Sequence, residues 1–97
     1  MGAEAKIEDY LTTQAEKHGF LCWKFKCPGT NGVPDRILIG HDRVIFVETK
    51  APGGKPRPLQ TAIHKLMRDH GANVFVIDTK PKVDKFFKDI MHTLISN

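Results

Sequence analysis

The stretch Val44-Ile45-Phe46-Val47-Glu48-Thr49-Lys50 decides the fold and points to the chemistry. Four consecutive apolar residues, all of them β-branched or aromatic types favoured in strands, read as a buried strand. It ends in an acid and a base two positions apart, and residues i and i+2 of a strand share a face. Upstream, Pro34-Asp35 opens a second apolar run, Arg36-Ile37-Leu38-Ile39. Between the runs lies Gly40-His41-Asp42-Arg43, a polar, glycine-bearing turn. A hairpin closing symmetrically about His41 and Asp42 pairs Gly40 with Arg43 and Ile39 with Val44. Carried up the ladder, this register sets Asp35 opposite Glu48, where Cβ atoms of direct partners lie about 4.5–5.5 Å apart. A one-residue bulge would instead give Asp35 the partner Val47 or Thr49. Two carboxylates and a lysine at one hairpin mouth suit cation-assisted attack on a phosphodiester. Burying two acids together is costly unless a cation offsets them.

Working outward, Ala3 to His18 reads as an amphipathic helix with Ile7, Leu11 and Ala15 at four-residue spacing and Gly19 as its stop. Glu4 and Glu8 border that apolar stripe, and either could reach the acidic pair directly or through water. Glu8, further inside the helix, is favoured; the blander reading leaves both on an exposed helix start. Phe20 to Lys26 reads as a strand. After Pro58, a helix through His70 carries Leu59, Ile63, Leu66 and Met67 as one apolar stripe. Asn73 to Ile77 reads as a short buried strand. A last helix from Pro81 to about Leu94 has Val83, Phe86, Phe87, Ile90, Met91 and Leu94 as its apolar positions. Phe86, Phe87 and Met91 read first as core and second as a face for another copy. The order αβββαβα implies an α/β fold, a mixed four-stranded sheet with helices on both sides.

The chain has 97 residues, 40% of them hydrophobic, which fits one domain spanning 1–97. No apolar run approaches the roughly 20 residues of a membrane span, and the N-terminal residues lack a signal-peptide core. A soluble intracellular protein is expected. Cys22 and Cys27, the two cysteines, read as buried or half-buried thiols rather than a disulfide or a zinc site. His64 and His70, six apart, lie poorly for joint ligation. A net charge of +4 favours an anionic partner. Lys24 and Lys26 precede the loop Cys27-Pro28-Gly29-Thr30-Asn31-Gly32, and Lys55 and Arg57 sit in Ala51-Pro52-Gly53-Gly54-Lys55-Pro56-Arg57-Pro58. Their shared position beside the acidic pair favours contact with phosphates.

Pro34-Asp35 followed by Glu48-Thr49-Lys50 resembles the signature of the PD-(D/E)XK nuclease superfamily, whose restriction-endonuclease-like core runs αβββαβ. Gly32-Val33-Pro34-Asp35-Arg36, Val47-Glu48-Thr49-Lys50-Ala51-Pro52-Gly53-Gly54, Pro58-Leu59-Gln60 and the Ile7-Glu8-Asp9-Tyr10-Leu11 helix resemble more closely the compact, phage-like members of the VRR-NUC family (virus-type replication-repair nuclease). The resemblance covers about residues 4 to 80. It implies a Mg²⁺- or Mn²⁺-dependent DNA endonuclease, in which Asp35, Glu48 and the Thr49 carbonyl hold the metal. Lys50 would orient or deprotonate the attacking water, and Gln60 and Glu8 would position water or surrounding groups. The expected products carry 5′-phosphate and 3′-hydroxyl ends. The resemblance further implies a homodimer acting on branched DNA such as four-way (Holliday) junctions, inside a host cell if phage-encoded. The alternative is a non-catalytic DNA-binding or assembly module on the same fold; an RNA-processing enzyme differs only in substrate.

Overall fold

The computed structural model describes residues 2–96, so Met1 and Asn97, the ends of the expected domain span, lie outside the described residues. The elements are α1 (Ala3–Lys17), β1 (Leu21–Lys24), β2 (Arg36–Gly40), β3 (Arg43–Thr49), α2 (Pro58–Asp69), β4 (Asn73–Ile77) and α3 (Lys80–Ser96). The sheet runs β1-β2-β3-β4, antiparallel except for the parallel β3–β4 pair, so the mixed α/β architecture is as expected. The β1 strand is shorter than the expected 20–26: Phe20 joins the core, and beyond Lys24 a bond from Phe25 N to Asp35 O (2.7 Å) continues the pairing.

The central hairpin has the register that the turn dictates. Gly40 pairs with Arg43, Ile39 with Val44, and Arg36 with Val47, without a bulge. His41 and Asp42 both take positive φ, 51° and 59°. That is the twist of a type I′ turn, which matches the right-handed twist of paired strands. A histidine tolerates it here because its Nε2 meets the His18 carbonyl oxygen at 2.7 Å and its ring packs edge-on against Phe20.

Alternation along the strands sorts the two faces. Cys22, Leu38, Ile45, Val47 and Ile77 face one side, where Ile7, Leu11 and Ala15 of α1 and Val83, Phe86, Phe87 and Ile90 of α3 close the core. Phe86 and Phe87 are therefore core residues, with Met91 and Leu94 packed partly buried against them. On the other face, α2 presents an unexpected surface. Its buried residues are Gln60 and His64, whereas Leu59 and Leu66 are more than half exposed. The apolar stripe of α2 is thus only partly covered: Ile63 and Met67 are half-buried, and the most buried positions go to Gln60, which bonds Glu48, and His64. Nor is β4 fully buried: it is an edge strand with Phe75 and Val76 exposed. Away from α2, the same sheet face leaves Leu21, Trp23 and Val44 about half exposed. Among the described residues, no helix is long and apolar enough to cross a membrane.

The α1–β1 corner is pressed onto the hairpin end. A Cβ at Gly40 would lie 2.8 Å from the Gly19 carbonyl oxygen and 2.9 Å from the Phe20 ring. Neither backbone can retreat without breaking the Gly40–Arg43 pair. Gly40→Ala is expected to cost about 1–3 kcal/mol, read as a lower urea midpoint at unchanged slope; an unaltered midpoint would contradict this packing.

Candidate active site

The β2–β3 ladder ends at Arg36 and Val47, and one step further stand Asp35 and Glu48. Asp35 is tied across the gap: its Oδ2 accepts from the Thr49 backbone N–H at 3.1 Å and from the Thr49 hydroxyl at 3.2 Å. The end of β3 is fixed on its other side by β4, with Lys50 N donating to the Ile77 carbonyl at 2.9 Å. Alternation turns Glu48 away from the α1 face and under α2.

Glu48 is 1% exposed, which makes its environment decisive. Oε2 accepts from Lys50 Nζ at 3.2 Å and from the Gln60 amide Nε2 at 3.2 Å. Oε1 is buried with no partner. Burial, reinforced by the Asp35 charge and opposed by Lys50, pushes the Glu48 carboxyl up to about 7. Gln60 serves two ends at once. Its Oε1 accepts from Arg57 N at 2.9 Å, the return arm of a helix-capping arrangement, while its Nε2 holds Glu48.

Asp35, Glu48, Thr49, Lys50 and Gln60 therefore come together, Thr49 through its N–H and hydroxyl. Glu8 is on the inward side of α1, unlike the exposed Glu4. Its Oε2 accepts from Arg36 Nε at 2.7 Å and lies 3.5 Å from Lys24 Nζ. It thus joins the group through the residue next to Asp35 rather than by touching either acid of the pair. Lys26, Lys55 and Arg57 are exposed, and a concave surface lined by Phe25, Lys26, Thr30 and Asn31 lies on the loop before Asp35. Cys22 is buried, but Cys27 is exposed on this same loop, contrary to the expectation for it.

Sequence reasoning overlooked His64. It was weighed only as a zinc ligand with His70, yet it lies one turn beyond Gln60 and is 1% exposed. The i,i+4 spacing of two polar residues on one helix face was the available signal. Its Nε2 is buried without a partner, and the Gly32 backbone hydrogen-bonds its ring. Burial, then the charges of Arg68 and Lys50, push the imidazole below its ordinary range, with Asp35 opposing.

The donor set fits a hard divalent cation. An unpaired buried carboxylate oxygen stands beside a second carboxylate, and Mg²⁺ is commonly held by one or two carboxylates with water completing its shell. Among the described residues, no three His, Cys, Asp or Glu side chains cluster into a closed metal cage. An open, water-completed arrangement is the one these side chains offer.

No protein-family model matches the chain. It is 41% identical over 78 residues to "Putative nuclease p44" of Acyrthosiphon pisum secondary endosymbiont phage 1, covering 79% of this chain and 84% of that protein. A solved structure described as "VRR_NUC domain" superposes with a TM-score of 0.85 at 32% identity, covering 91% of this chain and 97% of that one.

The raised Glu48 pKa has a defined consequence for stability. Its proton is held more tightly in the folded state, so its contribution is full below the ordinary value of 4.5 and lost as pH rises through about 7. Chelator-treated protein is expected to lose about 3 kcal/mol from this group over that window, relative to Glu48→Gln in parallel denaturant titrations. Matching pH profiles for the two proteins would contradict the assignment.

Proposed function

Because the chain belongs to the VRR-NUC domain family, we propose that it is a Mg²⁺- or Mn²⁺-dependent endonuclease that hydrolyses DNA phosphodiesters and selects branched DNA such as four-way junctions. The observation that carries this reading is the unpaired, buried Glu48 Oε1 beside Asp35, at the mouth of the Asp35/Glu48/Lys50 group. Nothing in the packing of the core requires an acid there. A carboxylate kept this dry, in company with a second one, is matched to a cationic ligand.

Each side chain then has a role set by its contacts. Asp35, Glu48 and the Thr49 carbonyl would hold the cation, which when bound would supply Lewis acidity to the phosphate and acidity to a coordinated water. Thr49 keeps the Asp35 carboxylate in place through its N–H and hydroxyl. Gln60 fixes the rotamer of Glu48. Lys50, partly buried beside Glu48, orients the attacking water and offsets charge that builds on the phosphate oxygens. Glu8 acts one layer out, holding Arg36 and so the strand start that carries Asp35. Lys24, Lys26, Lys55 and Arg57 contact the DNA backbone, where each phosphate contact releases counterions and makes binding salt-sensitive. Products with 5′-phosphate and 3′-hydroxyl ends are expected. The phage source of the named relative supports action within a host cell.

A homodimer suits paired cuts in a junction, since each copy brings one such group and a two-fold axis relates the two. The half-exposed Leu21, Trp23 and Val44 form an apolar row on one sheet face that supports this reading.

The test is a cation-titrated cleavage panel with labelled four-way junction, flap, duplex and single-stranded DNA. Junction cleavage dependent on Mg²⁺ or Mn²⁺ is expected, with Asp35→Ala and Lys50→Ala at least about a hundredfold slower. Salt-sensitive binding without scission would establish the non-catalytic module instead, and undiminished cutting by both variants would remove the site. Sedimentation of Trp23→Glu is expected to give a monomer where the unaltered chain gives a dimer; an unchanged distribution would place the interface elsewhere.

A further inference from the structure

Among the described residues, two buried side-chain polar atoms have no partner: Glu48 Oε1 and His64 Nε2. Both belong to the same corner of the molecule. Gln60 and His64 are the buried residues of α2, one turn apart, and Gln60 touches Glu48. A buried imidazole ordinarily spends both ring nitrogens. Since Nε2 is unpartnered, the nitrogen that meets the Gly32 backbone is Nδ1, and a backbone carbonyl there takes its N–H. This leaves a lone pair on Nε2, the tautomer that backbone-anchored imidazoles present to a ligand.

The anchor itself is rigid. At Gly32, φ is +91°, and a Cβ would lie 3.1 Å from both the Leu59 carbonyl oxygen and Ile63 Cγ1. The arm Gly32-Val33-Pro34-Asp35 is thus laid directly on α2, with Pro34 fully buried. His64 is on the buried side of α2 one turn beyond Gln60, and the charges of Arg68, Lys50 and Asp35 act on it.

Glu48 Oε2 already accepts from both Gln60 and Lys50. A divalent cation held at the bare Oε1 would draw electron density from Oε2 and set a second positive charge beside the Lys50 ammonium. The ammonium, with three hydrogens to place, would then be steadied by a further acceptor. We propose that His64 is a positioning residue: its Nε2 lone pair receives Lys50 when the cation takes the Glu48 carboxylate, keeping the amine beside the reacting phosphate. This rests on the cation-dependent reading above and extends it to a residue outside the acid-acid-lysine group. His64 acts through Lys50, so its effect on cation binding exists only while Lys50 is present.

The experiment is a double-mutant cycle with H64F and K50A, reading Mn²⁺ affinity by titration calorimetry without DNA, together with kcat and KM for junction cleavage. In the Lys50 background, H64F is expected to weaken Mn²⁺ binding about tenfold and to lower kcat at unchanged KM. In the K50A background, the same change should leave Mn²⁺ affinity within about twofold. Should H64F fail to fold in a thermal melt, H64L carries the same cycle. Equal losses in both backgrounds, or wild-type affinity in the single variant, overturn the assignment of His64 while leaving the nuclease reading intact. An unaltered protein that neither binds Mn²⁺ nor cuts DNA overturns both.

Discussion

The structure depends on one uncomfortable placement: a glutamate at the buried end of β3. Val47 and Thr49 on either side of Glu48 are both inaccessible, and Glu48 itself is shut under α2. An isolated carboxylate cannot stay ionised in such a place without help. Help comes from α2 and from the end of β3. The amide of Gln60 on α2 and the ammonium of Lys50 just beyond β3 share one oxygen, and the facing Asp35 is held off by Thr49. What they leave undone is the second oxygen, which stays buried and bare.

The two sheet faces divide the labour. The α1 and α3 side is a conventional apolar core, with Leu11, Leu38, Val47, Val83 and Phe87 essentially inaccessible. Leaving any of these smaller would create a cavity that costs several times a surface change. The α2 side is thinner and polar, and it is where hydrogen bonds rather than area fix the geometry. Placing the acids at the rim between a rigid core and a polar cover keeps them still while leaving one side approachable. Lys26 lies exposed on the loop before Asp35, and Lys55 and Arg57 lie exposed just before α2.

The hairpin was legible because two signals agreed. A polar turn of fixed length set the register, and the apolar runs on either side allowed only one face to be buried. The α1 stripe and the core positions of α3 were legible for the same reason, an uninterrupted 3.6-residue period. On α2 that reasoning misled. Leu59, Ile63, Leu66 and Met67 are a true stripe, but the helix turns Gln60 and His64 inward because Glu48 and Gly32 offer them hydrogen bonds. Periodicity measures hydrophobicity and is blind to a polar partner supplied by a strand elsewhere in the chain. Glu8 shows the complementary limit. Its inward side of the helix was readable, whereas its engagement by Arg36 depends on a side chain 28 residues away.

Gln60 joins helix initiation to the acidic pair, since one amide end closes the first turn of α2 and the other grips Glu48. The first turn is the costly step in making any helix. A chain in which that turn has not formed has therefore also lost the grip on its acid, so assembly of the centre and of the helix become one event. A copy whose first α2 turn has not formed carries Asp35, Glu48 and Lys50 in its sequence without the hydrogen bond that orients Glu48.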